Sequence, residues 1–179
     1  MLTQTKNIIR DLGDGLILRH GSQDDADALC AFNARINGDD EEDGKRVAAW
    51  TRDLISRPHP TFKPEDFTIV EEAATGKIVS SLSLIPQTWT YEGIEFGVGR
   101  PELVGTDPDY RGKGLATRML AEAVEECRRQ GFDKIIGKPF IWSAHPQRQY
   151  LGVPNMYEDL GFHKVSEVNG VNTYILDLK

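Results

Sequence analysis

The stretch ELVGTDPDYRGKGLATRMLAEAVEECRRQ, residues 102–130, constrains the fold of this chain more than any other. It opens as an apolar strand, breaks at Asp107-Pro108-Asp109, crosses RGKGLA and continues as a helix. Leu115, Met119, Leu120, Ala123, Val124 and Cys127 recur at steps of three and four, the spacing of one buried helical stripe. Arg118, Glu122, Glu125 and Arg129 lie off that stripe. Gly131 supplies the left-handed residue at which a helix stops cheaply. A strand, a glycine-bearing loop and the N-terminus of an amphipathic helix are thus joined in one segment.

That arrangement has a chemical use. The first turn of a helix leaves backbone N–H groups unpaired and carries partial positive charge, so an anion, above all a phosphate, satisfies both. Gly112 and Gly114 leave room for close approach, and Arg111 and Lys113 add charge beside the loop. Neither GxxxxGK[ST] nor GxGxxG is present, so the loop is not a Walker A or a dinucleotide fingerprint. A strand-to-helix turn with a solvated basic edge explains the same residues, and the residues alone leave the two readings level.

VGTDPDYRGKGLATRML resembles motif A of the GNAT superfamily of acetyl-CoA-dependent N-acetyltransferases. The motif core, [Q/R]-x-x-G-x-[G/A], is matched by Arg111, Gly114 and Ala116.

The rest of the chain bounds the class. Its 179 residues suit a single domain, 1–179, with a proper core; the ending at Lys179 also fits a fragment of a longer protein. No apolar run is long enough to span a bilayer, so no membrane partner is expected. The net charge of −7 argues against nucleic acid and suits a cationic amine. Cys30 and Cys127 fall in helical patterns without metal-ligand spacing. They read as buried thiols in a reducing, cytoplasmic setting, and no metal is expected.

GLILRH, residues 15–20, reads as the first strand. Ser22 then caps a helix with Asp25 at the capping-box position, and Ala28, Leu29, Phe32 and Ile36 form its inner face. GDDEEDG, residues 38–44, reads as a solvated acidic break, followed by a helix over 44–56 with Val47, Trp50 and Leu54 inward. Strands are expected from Phe67, from Ile78 to Tyr91 and from Ile94 to Thr106, with Glu92-Gly93 as a tight turn. Gly97, Gly99 and Pro101 suggest a bulge or a splayed edge in the last of these. A short strand at 134–138, a helix at 155–160 and a hairpin around Asn169-Gly170 complete the chain. The order suggests α/β architecture.

GVPNMYEDLGF, residues 152–162, is a second point of resemblance: GNAT proteins carry a Tyr-x-x-x-Gly-Phe segment here, matched by Tyr157, Gly161 and Phe162. Together the motifs look most like the subgroup of the enhanced-intracellular-survival acetyltransferases. The resemblance implies a GNAT fold, with a mixed central sheet of about seven strands, a splayed parallel pair and about four flanking helices. It implies acetyl-CoA as cosubstrate and a small-molecule or peptide amine as acceptor, and it allows a homodimer. Arg111, Gly112, Lys113, Gly114, Leu115, Ala116 and Thr117 would hold the pyrophosphate. Backbone groups of Val104 and Thr106 would pair with pantetheine, and Asn155 is a further cofactor residue. Tyr157 would be the general acid toward sulfur, or else a half-buried aromatic with a paired hydroxyl. Glu102 would be a base, or else an exposed carboxylate. His145 and Tyr150 are candidates for an acceptor pocket. The alternative to an enzyme is a CoA-binding regulatory or scaffold domain without turnover.

Overall fold

The computed structural model describes residues 8–139, 153–168 and 170–179. Its frame is a sheet of eight described strands: β1 (Ile8–Gly13), β2 (Leu16–His20), β3 (Phe67–Glu72), β4 (Ile78–Tyr91), β5 (Ile94–Thr106), β6 (Lys134–Gly137), β7 (His163–Val168) and β8 (Val171–Asp177). They lie in the order β1-β2-β3-β4-β5-β6-β8-β7. β5 and β6 run parallel, and every other neighbouring pair is antiparallel. Four described α-helices flank the sheet: α1 (Ala26–Asn37), α2 (Glu41–Ser56), α3 (Leu115–Arg129) and α4 (Pro154–Glu158). No helix among the described residues is long and apolar enough to cross a membrane.

Two cores lie on opposite faces of this sheet. Ile69 and Val70, Ile78 and Val79, and Leu103 and Val104 are neighbours in sequence, yet the members of each pair belong to different clusters. Alternate strand residues point to opposite faces, so the clusters are separated by the sheet. One holds α1 and α2 through Leu29, Phe32, Ile36, Leu54 and Ile55. The other holds α3 through the expected stripe, Leu115 to Cys127, and α4 through Met156 and Tyr157. Each large apolar side chain so buried contributes about 1.5–3 kcal/mol.

The long strands end where glycine turns end them. Glu92 and Gly93 take φ values of 49° and 80°, the two left-handed residues of a tight hairpin. Elsewhere the structure departs from the sequence reading. The strand that opens the sheet is β1, which shows a weak apolar pattern because it is an edge strand in which Arg10 and Asp11 face solvent. The acidic 38–44 stretch is not all loop. Asp40 accepts the Asp43 backbone N–H at 2.8 Å, and Glu41, Glu42 and Asp43 form the first turn of α2, where negative charge meets the positive end of the helix dipole. Trp50 stays 37% exposed, and Thr51 takes the inward position instead. Ala28 is exposed, and Glu122, off the apolar stripe, is buried in an ion pair with Arg129. Asn169 lies outside the described residues, between β7 and β8.

β5 and β6 pair only at Val98↔Lys134 and Gly99↔Ile135. β5 then runs on to Thr106 without β6 beside it, while β6 pairs with β8 on its other edge along its whole length, from Lys134 to Gly137. The parallel pair is therefore splayed, with Tyr157 packed at the opening: a Cβ on Gly137 would lie 2.1 Å from Tyr157 Cε1. Gly97 and Gly99 do not form the bulge their positions suggest. They make room for Phe132 and Cys127, whose side-chain atoms lie 2.7 and 2.5 Å from where a Cβ would stand. Gly137→Ala should cost about 1–3 kcal/mol through overpacking against a fully buried ring. Urea unfolding reads this as a lower midpoint, and an unchanged midpoint would show that the ring moves freely.

Candidate functional site

The positions that follow the splay define a cleft of about 390 Å³. Its floor is the end of β5: Val104, Gly105 and Thr106. One wall is the loop and first turn of α3, with Tyr110, Arg111, Gly112 and Gly114 to Thr117. α4 and its approach give Val153, Asn155, Met156 and Asp159, and the end of α1 gives Ile36 and Asn37.

The α3 wall is suited to an anion. Gly114 is the N-cap residue at φ 68°, and no side chain caps the helix. Arg118 N–H donates to the Gly114 carbonyl at 3.1 Å, the first bond of the helical ladder. The N–H groups of Leu115, Ala116 and Thr117 precede that bond and have no acceptor within the helix. Gly112 is also left-handed, at φ 78°, and a Cβ on either glycine would meet nothing within 4 Å. The space before the loop is open, and the unpaired N–H donors carry the partial positive charge of the helix start. Arg111 donates from Nε to the Thr106 carbonyl at 3.3 Å and leaves its guanidinium exposed. Lys113 does not line the cleft; its ammonium stands 5.8 Å from the centre of the Tyr110 ring.

Asp107 anchors the loop. Its N–H donates to the Val79 carbonyl at 2.9 Å, and its carboxylate accepts the Asp109 N–H at 3.2 Å. Arg35 and Lys77 approach the same carboxylate at 2.9 and 3.5 Å. Burial pushes the Asp107 carboxyl up, but the Asp109 N–H, Arg35 and Lys77 together hold it below the usual value. Tyr110 reinforces the loop by donating its hydroxyl to Glu72.

The β5 floor is irregular. Ser81 partners Gly105 and Ser83 partners Glu102, so Leu103 and Val104 together oppose Leu82. Leu103 takes φ 50° to make this bulge. A left-handed leucine costs about 1–2 kcal/mol, held here by ladder pairing on both sides. Beyond the bulge, Ser80 Oγ bonds the Gly105 carbonyl at 2.8 Å and contacts Thr106 Oγ1 at 2.7 Å.

Glu102 and Tyr157 sit behind the lining. Glu102 is 7% exposed, which sets aside the reading of an exposed carboxylate, and it is ion-paired with Arg100. It pairs across from Ser83, which pairs with Phe67, so it belongs to the α1/α2 face. Tyr157 belongs to the opposite core, with its ring edge-on to Phe162 at 5.1 Å and stacked on Tyr174 at 6.1 Å. Burial, then the Glu102 carboxylate, pushes the Tyr157 phenol well above its ordinary value. Burial also raises the Glu102 carboxyl, against the pull of Arg100 and Lys138. Tyr157 thus senses the Glu102 charge from the opposite face of the sheet.

Of the residues expected from sequence, the cleft gathers Val104, Thr106, Arg111, Gly112, Gly114, Leu115, Ala116, Thr117 and Asn155. His145 and Tyr150 lie outside the described residues. Sequence reasoning missed Ile36 and Asn37 as cleft residues, the anchor at Asp107 and the bulge at Leu103. The Asp-Pro turn was a visible signal for Asp107. The left-handed leucine had none.

The acetyltransferase (GNAT) domain model matches residues 18–150. The chain belongs to the GNAT acetyltransferase family. A mycothiol acetyltransferase of Thermobispora bispora is 28% identical over 145 residues, covering 77% of this chain and 43% of the relative. One from Propionibacterium freudenreichii subsp. shermanii is 29% identical over 157 residues, covering 87% and 45%. This GNAT chain therefore spans less than half the length of those curated relatives. A putative GNAT-family acetyltransferase from Desulfovibrio desulfuricans shares the fold at a TM-score of 0.67 and 16% identity, over 92% of this chain and 99% of that one. A second putative acetyltransferase, from Salmonella typhimurium and solved with its cofactor acetyl-CoA, gives 0.58 and 20% over 92% and 94%.

Asp107→Ala should cost about 1–2 kcal/mol at neutral pH, the usual loss for a capping side chain. The Asp107 carboxyl is lowered on folding, so its contribution is complete above the ordinary Asp value near 4 and fades as pH falls through the lower folded value. Thermal melts of both proteins from neutral to acidic pH should converge at the acid end. A gap that stays constant with pH would remove the charge from the anchor.

Proposed function

We propose that this domain transfers an acetyl group from acetyl-CoA directly to a primary amine. One observation carries the reading: the uncapped, glycine-led start of α3 and the unpaired end of β5 line the same cleft. A pyrophosphate suits the first, and the amides of a pantetheine arm suit the second. We assign the pyrophosphate to Arg111 through Thr117, with Lys113 contributing only long-range charge, and the pantetheine to Val104 and Thr106, with Asn155 alongside.

In the reaction the amine lone pair bonds to the thioester carbonyl carbon, the carbon–sulfur bond breaks, and sulfur leaves with its electron pair. The amine nitrogen loses a proton and sulfur gains one. We assign to the Val104 N–H the charge developing on the carbonyl oxygen. Glu102, raised by burial, receives the amine proton directly or through water. Tyr157 stays a neutral phenol and donates as charge develops on sulfur. A thiol near pKa 8.5 does not take the proton from such a phenol in the ground state, so the donation belongs to the transition state. No step requires a metal.

A cationic acceptor fits the net charge of −7. The relatives named mycothiol acetyltransferase support adding a mycothiol-type acceptor to the candidates. The motif resemblance to the enhanced-intracellular-survival enzymes adds aminoglycosides. A single domain over residues 1–179, a cytoplasmic location for a chain with two buried free cysteines, and a homodimer complete the proposal. One observation favours the second reading, a CoA-binding domain without turnover: Tyr157 is fully buried and does not line the cleft.

Release of free CoA thiol across a panel (spermidine, tyramine, kanamycin, a thiol-bearing amine and a peptide with a free N-terminus) separates the two. Tyr157→Phe should lower kcat by about ten- to a thousandfold with little change in acetyl-CoA affinity. Wild-type turnover in that variant at every pH would leave Tyr157 as a packing residue. Silence of the wild-type protein on the whole panel would favour the binding domain.

A further inference from the structure

The wall of the cleft opposite α3 is made by the end of α1, and its polar member is Asn37. A tight corner sets its position. A Cβ on Gly38 would lie 2.6 Å from both the Ala34 carbonyl oxygen and Gly44 Cα, so α1 and α2 meet backbone to backbone. This presses the last turn of α1 onto β5 at Gly105, where a Cβ would stand 2.6 Å from Ile36 Cγ2 and 3.1 Å from Asn37 Oδ1. Asn37 is 2% exposed, and it lines the cleft.

The orientation of its amide follows from a buried relay. Thr51 Oγ1 donates its proton to the Val47 carbonyl at 2.9 Å, so toward Asn33 it acts only as an acceptor. Asn33 therefore turns its NH2 group to Thr51, at 3.3 Å. Its Oδ1 then accepts from Ser81 Oγ at 3.0 Å and from Asn37 Nδ2 at 3.4 Å. Flipping Asn37 would set carbonyl against carbonyl. Its NH2 group thus points inward along the relay, and its Oδ1 accepts no hydrogen bond among the described residues. That oxygen is not sealed in the core; it opens to the cleft, where water or a ligand N–H can reach it as a fixed acceptor.

We propose that Asn37 is an acceptor-binding residue: its Oδ1 takes an N–H of the attacking amine, with Ile36 packing against the adjoining carbon. The assignment rests on the acetyltransferase reading and deepens it. A carbonyl oxygen repels phosphate and thioester oxygens and suits an N–H donor. α1 also lies on the opposite face of the sheet from α3, so the amine enters across β5 from the wall that carries the phosphate loop. No proton passes to Asn37. It holds a neutral amine with the lone pair turned toward the thioester carbon, while Asn33, Ser81 and Thr51 act as positioning residues behind it.

The test uses the full chain and the best amine of the panel above. Asn37→Ala should raise the amine KM by about tenfold or more, as expected when a site built to bond an N–H loses its partner. The acetyl-CoA Kd and the melting temperature should stay near wild type. Thr51→Val, which cuts the relay without touching the cleft, should raise the amine KM less and leave acetyl-CoA binding alone, and it serves if Asn37→Ala does not fold. An amine KM unchanged in the folded Asn37→Ala protein, or in Thr51→Val where that protein is lost, overturns the assignment and leaves the acetyltransferase reading standing. A rise in acetyl-CoA Kd instead places the side chain against the cosubstrate and also overturns it. A wild-type protein that releases no CoA with any amine takes down both.

Discussion

The structure depends on a parallel ladder that stops after two residue pairs. β5 and β6 meet at Val98 and Gly99 and then part. Backbone polar groups in a sheet must be paired, and a strand that leaves its neighbour presents an unfilled row. One feature keeps that row open: the Tyr157 ring packs against the Gly137 backbone, beyond the last pair with β5. The opening is therefore a product of packing, as rigid as the core that contains Tyr157.

Everything near the opening serves to place groups around it. The α3 core sets the glycine-led helix start on one side, and Asp107 ties the preceding loop to β4. The α1/α2 core brings Asn37 to the other side through a corner that only glycine permits. Between them, the bulge at Leu103 and Val104 breaks the β5 alternation, so that Glu102 and Leu103 share the α1/α2 face while Val104 serves the other core and Gly105 accepts the end of α1. Electrostatics follow the same division. Open N–H donors lie on the α3 side, a fixed carbonyl on the α1 side, and two buried acids of raised pKa, Glu102 and Tyr157, behind the floor.

The parts legible in the sequence are those with local causes. β4 and β5 run as read, because Gly76 and the Glu92-Gly93 turn force their ends. α3 and its glycine cap were visible from apolar spacing and from the loop. The missed parts depend on partners remote in sequence. β1 shows a weak pattern because half of it faces solvent at an edge. The start of α2 was hidden because Asp40 and three further acids resemble a loop unless the helix dipole is counted. The left-handed Leu103 comes from register with β4. Asn37 has no sequence signature, since its orientation is set by Thr51, Asn33 and Ser81 across two helices and a strand.

The central claim is that one ligand bridges the open end of β5 and the start of α3. Amide hydrogen exchange, measured with and without saturating CoA, tests it most directly. The account predicts new protection concentrated in two separate segments, Val104 to Thr106 and Gly112 to Thr117, with little change in β1 to β3. Protection confined to the α3 loop, with β5 unaffected, would mean that the splayed strand does not bind the pantetheine arm. Absence of protection in both segments would contradict the account outright.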